Sequence, residues 1–226
     1  MNTIQKLAFG GLLSLALGAH AAVQLNDNLI VNGGAESGVS GWLAFDGYSL
    51  FQSVDYGDNW VKPTQPGPVD RGSKMFAGVG ERSAGYQTVE LGTLAGQPLR
   101  YELSGWLGGW LAQQDNALLY VSFLDQTQSE IGYAMIGPMM PGDRGQQTGL
   151  FRLADSGVLP MGTTSLMFSL SMERLSGGDN DGYADNLSFV LQAAPVPEPA
   201  SAWLALTGLG IVGVAAVLRQ RRPARG

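Results

Sequence analysis

Leu99-Arg100-Tyr101-Glu102-Leu103-Ser104-Gly105-Trp106 sets Leu99, Tyr101, Leu103 and Gly105 on one face and Arg100, Glu102, Ser104 and Trp106 on the other. Successive side chains of a strand point to opposite sides, so this period of two marks a half-buried strand. The stretches on either side read the same way. Downstream, 117–124 is apolar on both faces and predicts a strand central to its sheet. Residues 131–136 predict its partner, through a turn at 126–129. Strands are also expected at 147–153, at 165–172 with Leu166, Phe168 and Leu170 inward, and at 183–191 with Leu187, Phe189 and Leu191 inward. Upstream, strands are expected at 49–54, 74–77 and 84–91, and a short apolar strand at 28–32 runs into Gly33-Gly34. No helical period of useful length occurs between Ala22 and Ala194. Short strands separated by frequent turn signals define an all-β sandwich.

Two irregular stretches interrupt the strands. Residues 56–72 contain Pro63, Pro66 and Pro68, which exclude a central strand. Residues 137–145 form a second proline-glycine loop. Long loops in compact domains often carry function. The first displays Tyr56, Asp58, Asn59 and Trp60; Trp106 ends the alternating strand, and Trp110 follows Gly108-Gly109. Aromatic rings stack on the apolar faces of sugars as on other flat surfaces. Tyr56, Trp60, Trp106 and Trp110 are therefore the candidate glycan contacts. Trp42, after Gly41, reads as core, and the competing reading of Trp106 is the same.

Composition removes several chemistries. The chain has no cysteine and one histidine, His20, in a segment expected to be cleaved off. Disulfides, Ser-His-Asp and Cys-His catalysis and His-ligated zinc are thus excluded from the mature domain. A carboxylate pair, as in glycosidases, is the hydrolytic option that remains. Glu81, Glu90, Glu102 and Glu130 exist, but their spacing marks no pair, so no catalytic residue is assigned. Residues 22–197 carry eight Lys and Arg against eighteen Asp and Glu, a balance near −10. This argues against nucleic acid as a partner and favours divalent cations and neutral polymers.

The two ends are hydrophobic. Lys6, the apolar run 7–17 and Ala19-His20-Ala21 have the layout of a signal peptide over 1–21. The domain is then 22–194 and the linker 195–199. The charge-free run 200–218 is expected to form one transmembrane helix, about 28 Å long against a hydrocarbon core of about 30 Å. Arg219, Arg221, Arg222 and Arg225 make 219–226 a basic tail held on the cytoplasmic side. Just before the run, Pro197-Glu198-Pro199 is held extended by its prolines.

Tripeptide, apolar run and arginine cluster, in that order over 196–225, resemble the PEP-CTERM sorting signal of Gram-negative bacteria. The resemblance implies export, a membrane-bound intermediate in the inner membrane, and processing near Pro197–Pro199 by an exosortase-type enzyme. Its destinations are the cell surface and the extracellular matrix, in association with exopolysaccharide and biofilm.

A second resemblance lies in the domain. Asn28-Leu29-Ile30-Val31-Asn32-Gly33-Gly34-Ala35-Glu36 with Gly41-Trp42, and Tyr183-Ala184-Asp185-Asn186-Leu187-Ser188-Phe189, look like the opening and closing segments of galactose-binding-like jelly rolls of the carbohydrate-binding-module type. The family usually has Phe where Ala35 stands. It implies a jelly-roll β-sandwich and a structural calcium ion held by Glu36 and Asp185, which suit its oxygen chemistry. The competing reading is that both carboxylates cap ordinary turns. Residues 179–185 do not fit an EF-hand, because Gly182 falls at loop position four and no glutamate stands at twelve. Asp179 and Asp181 are read as solvated turn residues.

Three functions follow. The first is a non-catalytic exported surface or matrix protein whose jelly roll binds polysaccharide. The second is a structural surface or adhesion subunit without a glycan ligand, joined through strand edges. The third is a glycoside-active enzyme with a carboxylate pair.

Overall fold

A computed structural model of the chain describes residues 22–195. The signal peptide at 1–21, Pro197-Glu198-Pro199, the 200–218 helix and the arginines of 219–226 lie outside the described residues. Among the described residues no helix is long and apolar enough to cross a membrane.

Among the described residues, ten strands form two facing antiparallel sheets. The first contains β1 (Leu43–Ala44), β4 (Arg82–Glu90), β9 (Ser165–Glu173), β6 (Asn116–Leu124) and β7 (Glu130–Ile136), in that order. The second contains β2 (Gln52–Asp55), β3 (Lys74–Ala77), β10 (Tyr183–Ala193), β5 (Leu99–Gly109) and β8 (Gly149–Val158). From β3 onward the chain changes sheet at every connection except the β6–β7 hairpin. This is a jelly-roll β-sandwich, all-β as expected.

In β5, residues 99, 101, 103 and 105 are buried and 100 and 102 are exposed. Leu103, Leu107, Leu119, Val121, Phe168, Leu170, Phe189 and Leu191 fill the space between the sheets. Trp42 joins them, edge-on to Phe51 at 5.3 Å and to Phe76 at 6.0 Å. Among the described residues, ten strands carry two buried clusters, the kind of core a domain of this length needs to fold.

Four expectations change. β6 is an interior strand, paired with β9 on one side and β7 on the other, but the middle place of the first sheet is taken by β9. β8 extends to Val158, because its register with β5 carries the weakly patterned 154–158. β2 begins only at Gln52, and Ser49 makes an isolated bridge to Ser83.

The fourth concerns the opening segment, which is a chain of turns rather than a strand. It makes one bridge, Asn28 to Val190. Side-chain amides do what a strand backbone would do. Asn28 accepts from the Phe189 amide at 3.0 Å and donates to the Leu187 carbonyl at 3.0 Å. Gln87 accepts from the Val31 amide at 2.9 Å and donates to its carbonyl at 2.7 Å.

The sandwich has two poles, about 33 Å apart at ~3.3 Å per residue of β10. Chain entry and exit share one of them, where the Asn26 amide donates to Leu191 and the Ala194 amide to Pro98. The loops that precede β4, β6, β8 and β10 gather at the other.

Candidate functional site

Strand register puts Tyr86, Ser169 and Tyr120 side by side across β4, β9 and β6, on the outer face of the first sheet. Ala84, Ser171 and Leu118 form the next row, and Arg82, Glu173 and Asn116 the row after it. Inward neighbours such as Phe168 and Leu170 hold these positions outward. Phe45 packs against Tyr86 with centroids 4.8 Å apart, and Tyr133 of β7 stacks on Tyr120 at 5.2 Å and 15°. Tyr86 and Tyr120 are half-buried, so each keeps part of its ring open. The Tyr120 hydroxyl donates to Glu130 Oε1 at 2.9 Å. Burial, then the Glu130 bond and charge, push this phenol up to about 12, so it stays a neutral donor.

Towards the pole opposite the chain ends this face deepens into a cavity of about 640 Å³, lined by Phe45, Tyr48, Ala84, Leu118, Pro138 and Met140 among others. A polar hollow of about 760 Å³ adjoins it and shares Tyr48, Arg82 and Glu173. Arg82 is paired with Glu173, and Arg174 with Glu81 at 3.5 Å. The result is a groove with a hydroxyl and aromatic floor, an apolar pocket and internally neutralised charges. None of its aromatics is singled out by the sequence reading. The available signal is Ser169-Leu170-Ser171-Met172-Glu173, because small polar residues alternating outward on a central strand mean that no second layer covers that face.

Tyr56, Trp60, Trp106 and Trp110 do come together, on the outer face of the second sheet, around Val61, Met75, Ala77, Leu150 and Tyr183. All four are half-buried. Trp60 meets Tyr183 edge-on at 6.1 Å, and the Arg71 guanidinium lies 5.1 Å over the Tyr56 ring. The proline loop 56–72 folds onto this face, and its Pro66 carbonyl accepts from the Leu150 amide at 2.9 Å.

Glu36 and Asp185 stand close enough to feel each other's charge. Glu36 is exposed and accepts from the Ser73 and Lys74 amides at 2.9 and 2.8 Å and from the Ser73 hydroxyl at 2.7 Å. Burial pushes its carboxyl up, but these bonds outweigh it and hold the group below the usual value. Asp185 is fully buried and accepts from the Tyr56 hydroxyl at 2.5 Å and the Asn186 amide at 2.8 Å. Burial dominates there and pushes the carboxyl up to about 7. Among the described residues no three acidic, imidazole or thiol side chains gather as a metal cluster. Glu36 and Asp185 are the two carboxylates this corner offers a hard cation, and their oxygens already accept from Ser73, Lys74, Tyr56 and Asn186.

Asp179 is exposed as expected, but Asp181 is not a solvated turn residue. It is 7% exposed and accepts from the Tyr183 hydroxyl at 2.5 Å, because the 174–182 loop folds inward around Asp115. Asp115 accepts from the amides of Leu175, Ser176 and Asp181. Nearby, buried Arg144 donates to the carbonyls of Gln147, Met139, Trp110 and Gln113, tying two loops together.

Residues 195–222 match the PEP-CTERM protein-sorting motif, which marks the chain for export and surface sorting in a Gram-negative bacterium. No curated protein sequence matches the chain. Several solved structures are similar in fold. The enzymatically active domain of tailspike protein 4 of bacteriophage CBA120 is 12% identical with a TM-score of 0.49. That match covers 73% of this chain but only 21% of the tailspike. A family 16 carbohydrate binding module-2 is 22% identical with a TM-score of 0.46, covering 72% of this chain and 99% of the module. The CBM22-1 xylan-binding domain of Paenibacillus barcinonensis Xyn10C is 15% identical with a TM-score of 0.45, covering 77% and 100%.

Proposed function

We propose that the chain is an exported surface or matrix protein whose jelly roll binds a neutral polysaccharide, without catalysis, in the groove on the outer face of the first sheet. The single observation that carries this is the row Tyr86–Ser169–Tyr120 with its flanking Phe45 and Tyr133. A β-sheet face with spaced, half-open rings and small hydroxyls between them suits a sugar chain. Rings stack on the C–H faces, and hydroxyls exchange hydrogen bonds with the equatorial groups. The pairing of Arg82 with Glu173 and of Arg174 with Glu81 leaves the groove little net charge to attract an ionic polymer. The test is affinity electrophoresis of residues 22–195 in gels containing xylan, glucomannan or hydroxyethylcellulose. Retardation lost in Tyr86→Ala and Tyr120→Ala supports the reading, and no retardation in any gel contradicts it. Trp60→Ala and Trp110→Ala test the second aromatic surface in the same gels.

Calcium belongs to this proposal as a structural ion that Glu36 and Asp185 would hold. When bound it would supply positive charge between two carboxylates that repel each other. A melting temperature raised by calcium, lowered by chelator and made insensitive by Asp185→Asn supports it; identical melting in both media removes the ion.

A second reading, the structural or adhesion subunit, is favoured by edge strand β7, where Ile131, Tyr133 and Met135 are all exposed. An exposed edge with apolar side chains invites strand pairing. Sedimentation that depends on concentration, abolished by Met135→Lys, supports this reading.

A further inference from the structure

The groove has two unlike halves, and the apolar half is larger than stacking alone requires. Its walls at Phe45, Ala84, Leu118, Pro138 and Met140 present carbon and thioether sulfur, and hydroxyl-rich sugar gains little from such a lining. It opens directly beside the Ala84–Ser171–Leu118 row, one register step from Tyr86–Ser169–Tyr120. The pocket is therefore within reach of the substituents of a chain lying on the tyrosines. Met140 offers an adaptable thioether wall suited to small groups of varied shape. Arg82 and Glu173, the charged residues lining this pocket, pair with each other, which disfavours carboxylate-bearing or sulfated substituents.

We infer that the pocket takes the acyl substituents of a neutral polysaccharide, acetyl esters being the simplest, while the sugar rings rest on Tyr86 and Tyr120. This rests on the glycan reading above and names the ligand class of the same groove. Leu118 selects for the substituent, and Tyr86 holds the backbone. The binding step is non-covalent.

The test uses one xylan in two forms, natively acetylated and stripped by mild alkali, titrated into residues 22–195. The expected result is about tenfold tighter binding of the acetylated form, the effect of burying about two methyl groups. Leu118→Asp should remove that preference, so that the two forms bind alike, with an unchanged melting temperature as the folding check. Tyr86→Ala should weaken both forms. Equal affinity of the wild type for the two forms, with both lost in Tyr86→Ala, overturns the acyl pocket and leaves the glycan reading standing. No binding of either form overturns both. If Leu118→Asp instead converts a dimer to a monomer in sedimentation, the pocket belongs to a second copy of the chain and the inference fails.

Discussion

The carbonyl of Gly33 accepts the backbone amide of Leu187 at 3.0 Å, and a Cβ at Gly33 would lie 2.2 Å from the Leu187 carbonyl oxygen. The opening turn is thus pressed backbone to backbone against the closing strand, at the bulge between Asp185 and Ser188. Gly33→Ala should cost about 1–3 kcal/mol in urea unfolding, since one backbone must move. Gly34→Ala is the control. Its added carbon meets only side-chain oxygens, Asn186 Oδ1 at 3.2 Å and Asp185 Oδ1 at 3.7 Å, and should cost clearly less.

Gln87 replaces a strand partner for Val31. Its amide is 5% exposed and makes both bonds to one peptide unit. Gln87→Leu keeps the volume and loses both bonds, leaving two backbone groups unpaired. The expected loss is about 2 kcal/mol, with faster amide exchange at Val31 as the local readout.

Asp185 gives the stability of the domain an unusual pH dependence when chelator is present. Its carboxyl rises from an ordinary 3.8 to about 7 in the fold, chiefly through burial. Between those values the folded state holds a proton that the unfolded state has released, so stability falls as pH rises from about 4 to about 7. A shift of that size corresponds to at most about 4 kcal/mol. Asp181, also raised by burial, adds in the same direction. Melting curves across this window should therefore show highest stability on the acid side, and Asp185→Asn should flatten them. A wild type that gains stability towards pH 7 in chelator would contradict the assignment.

Arg144 is 2% exposed and donates to four backbone carbonyls. Burial pushes the guanidinium down from its usual range while Asp115 pushes it back, and it stays charged. Arg144→Met would strand those carbonyls, at a cost of about 3 kcal/mol or more, read from the urea midpoint. Arg144→Lys keeps the charge without the fork and should recover only part of it.

The sandwich is legible where one face is buried and the other wet. β5 and β10 alternate cleanly because core and solvent select opposite residue types. The opening segment is not legible as turns, because Leu29-Ile30-Val31 has strand composition and its hydrogen bonds run to distant side chains, Gln87 above all. The aromatic loop residues are recognisable as a cluster, but their surroundings depend on where loop 56–72 folds. Tyr86 and Tyr120 are hidden by their chemistry, since tyrosine serves a core and an open face equally well. Only the register across β4, β9 and β6 places them in one row.

The most direct test of the central claim is a map of where sugar touches the domain. Isotope-labelled residues 22–195 would be titrated with the shortest oligosaccharide of a polymer that retards the domain, following amide and ring chemical shifts. Shifts are expected to concentrate at Tyr86, Ser169, Tyr120 and Leu118, with Tyr56, Trp60, Trp106 and Trp110 unmoved. Shifts centred on those four residues, with the first sheet silent, would contradict it.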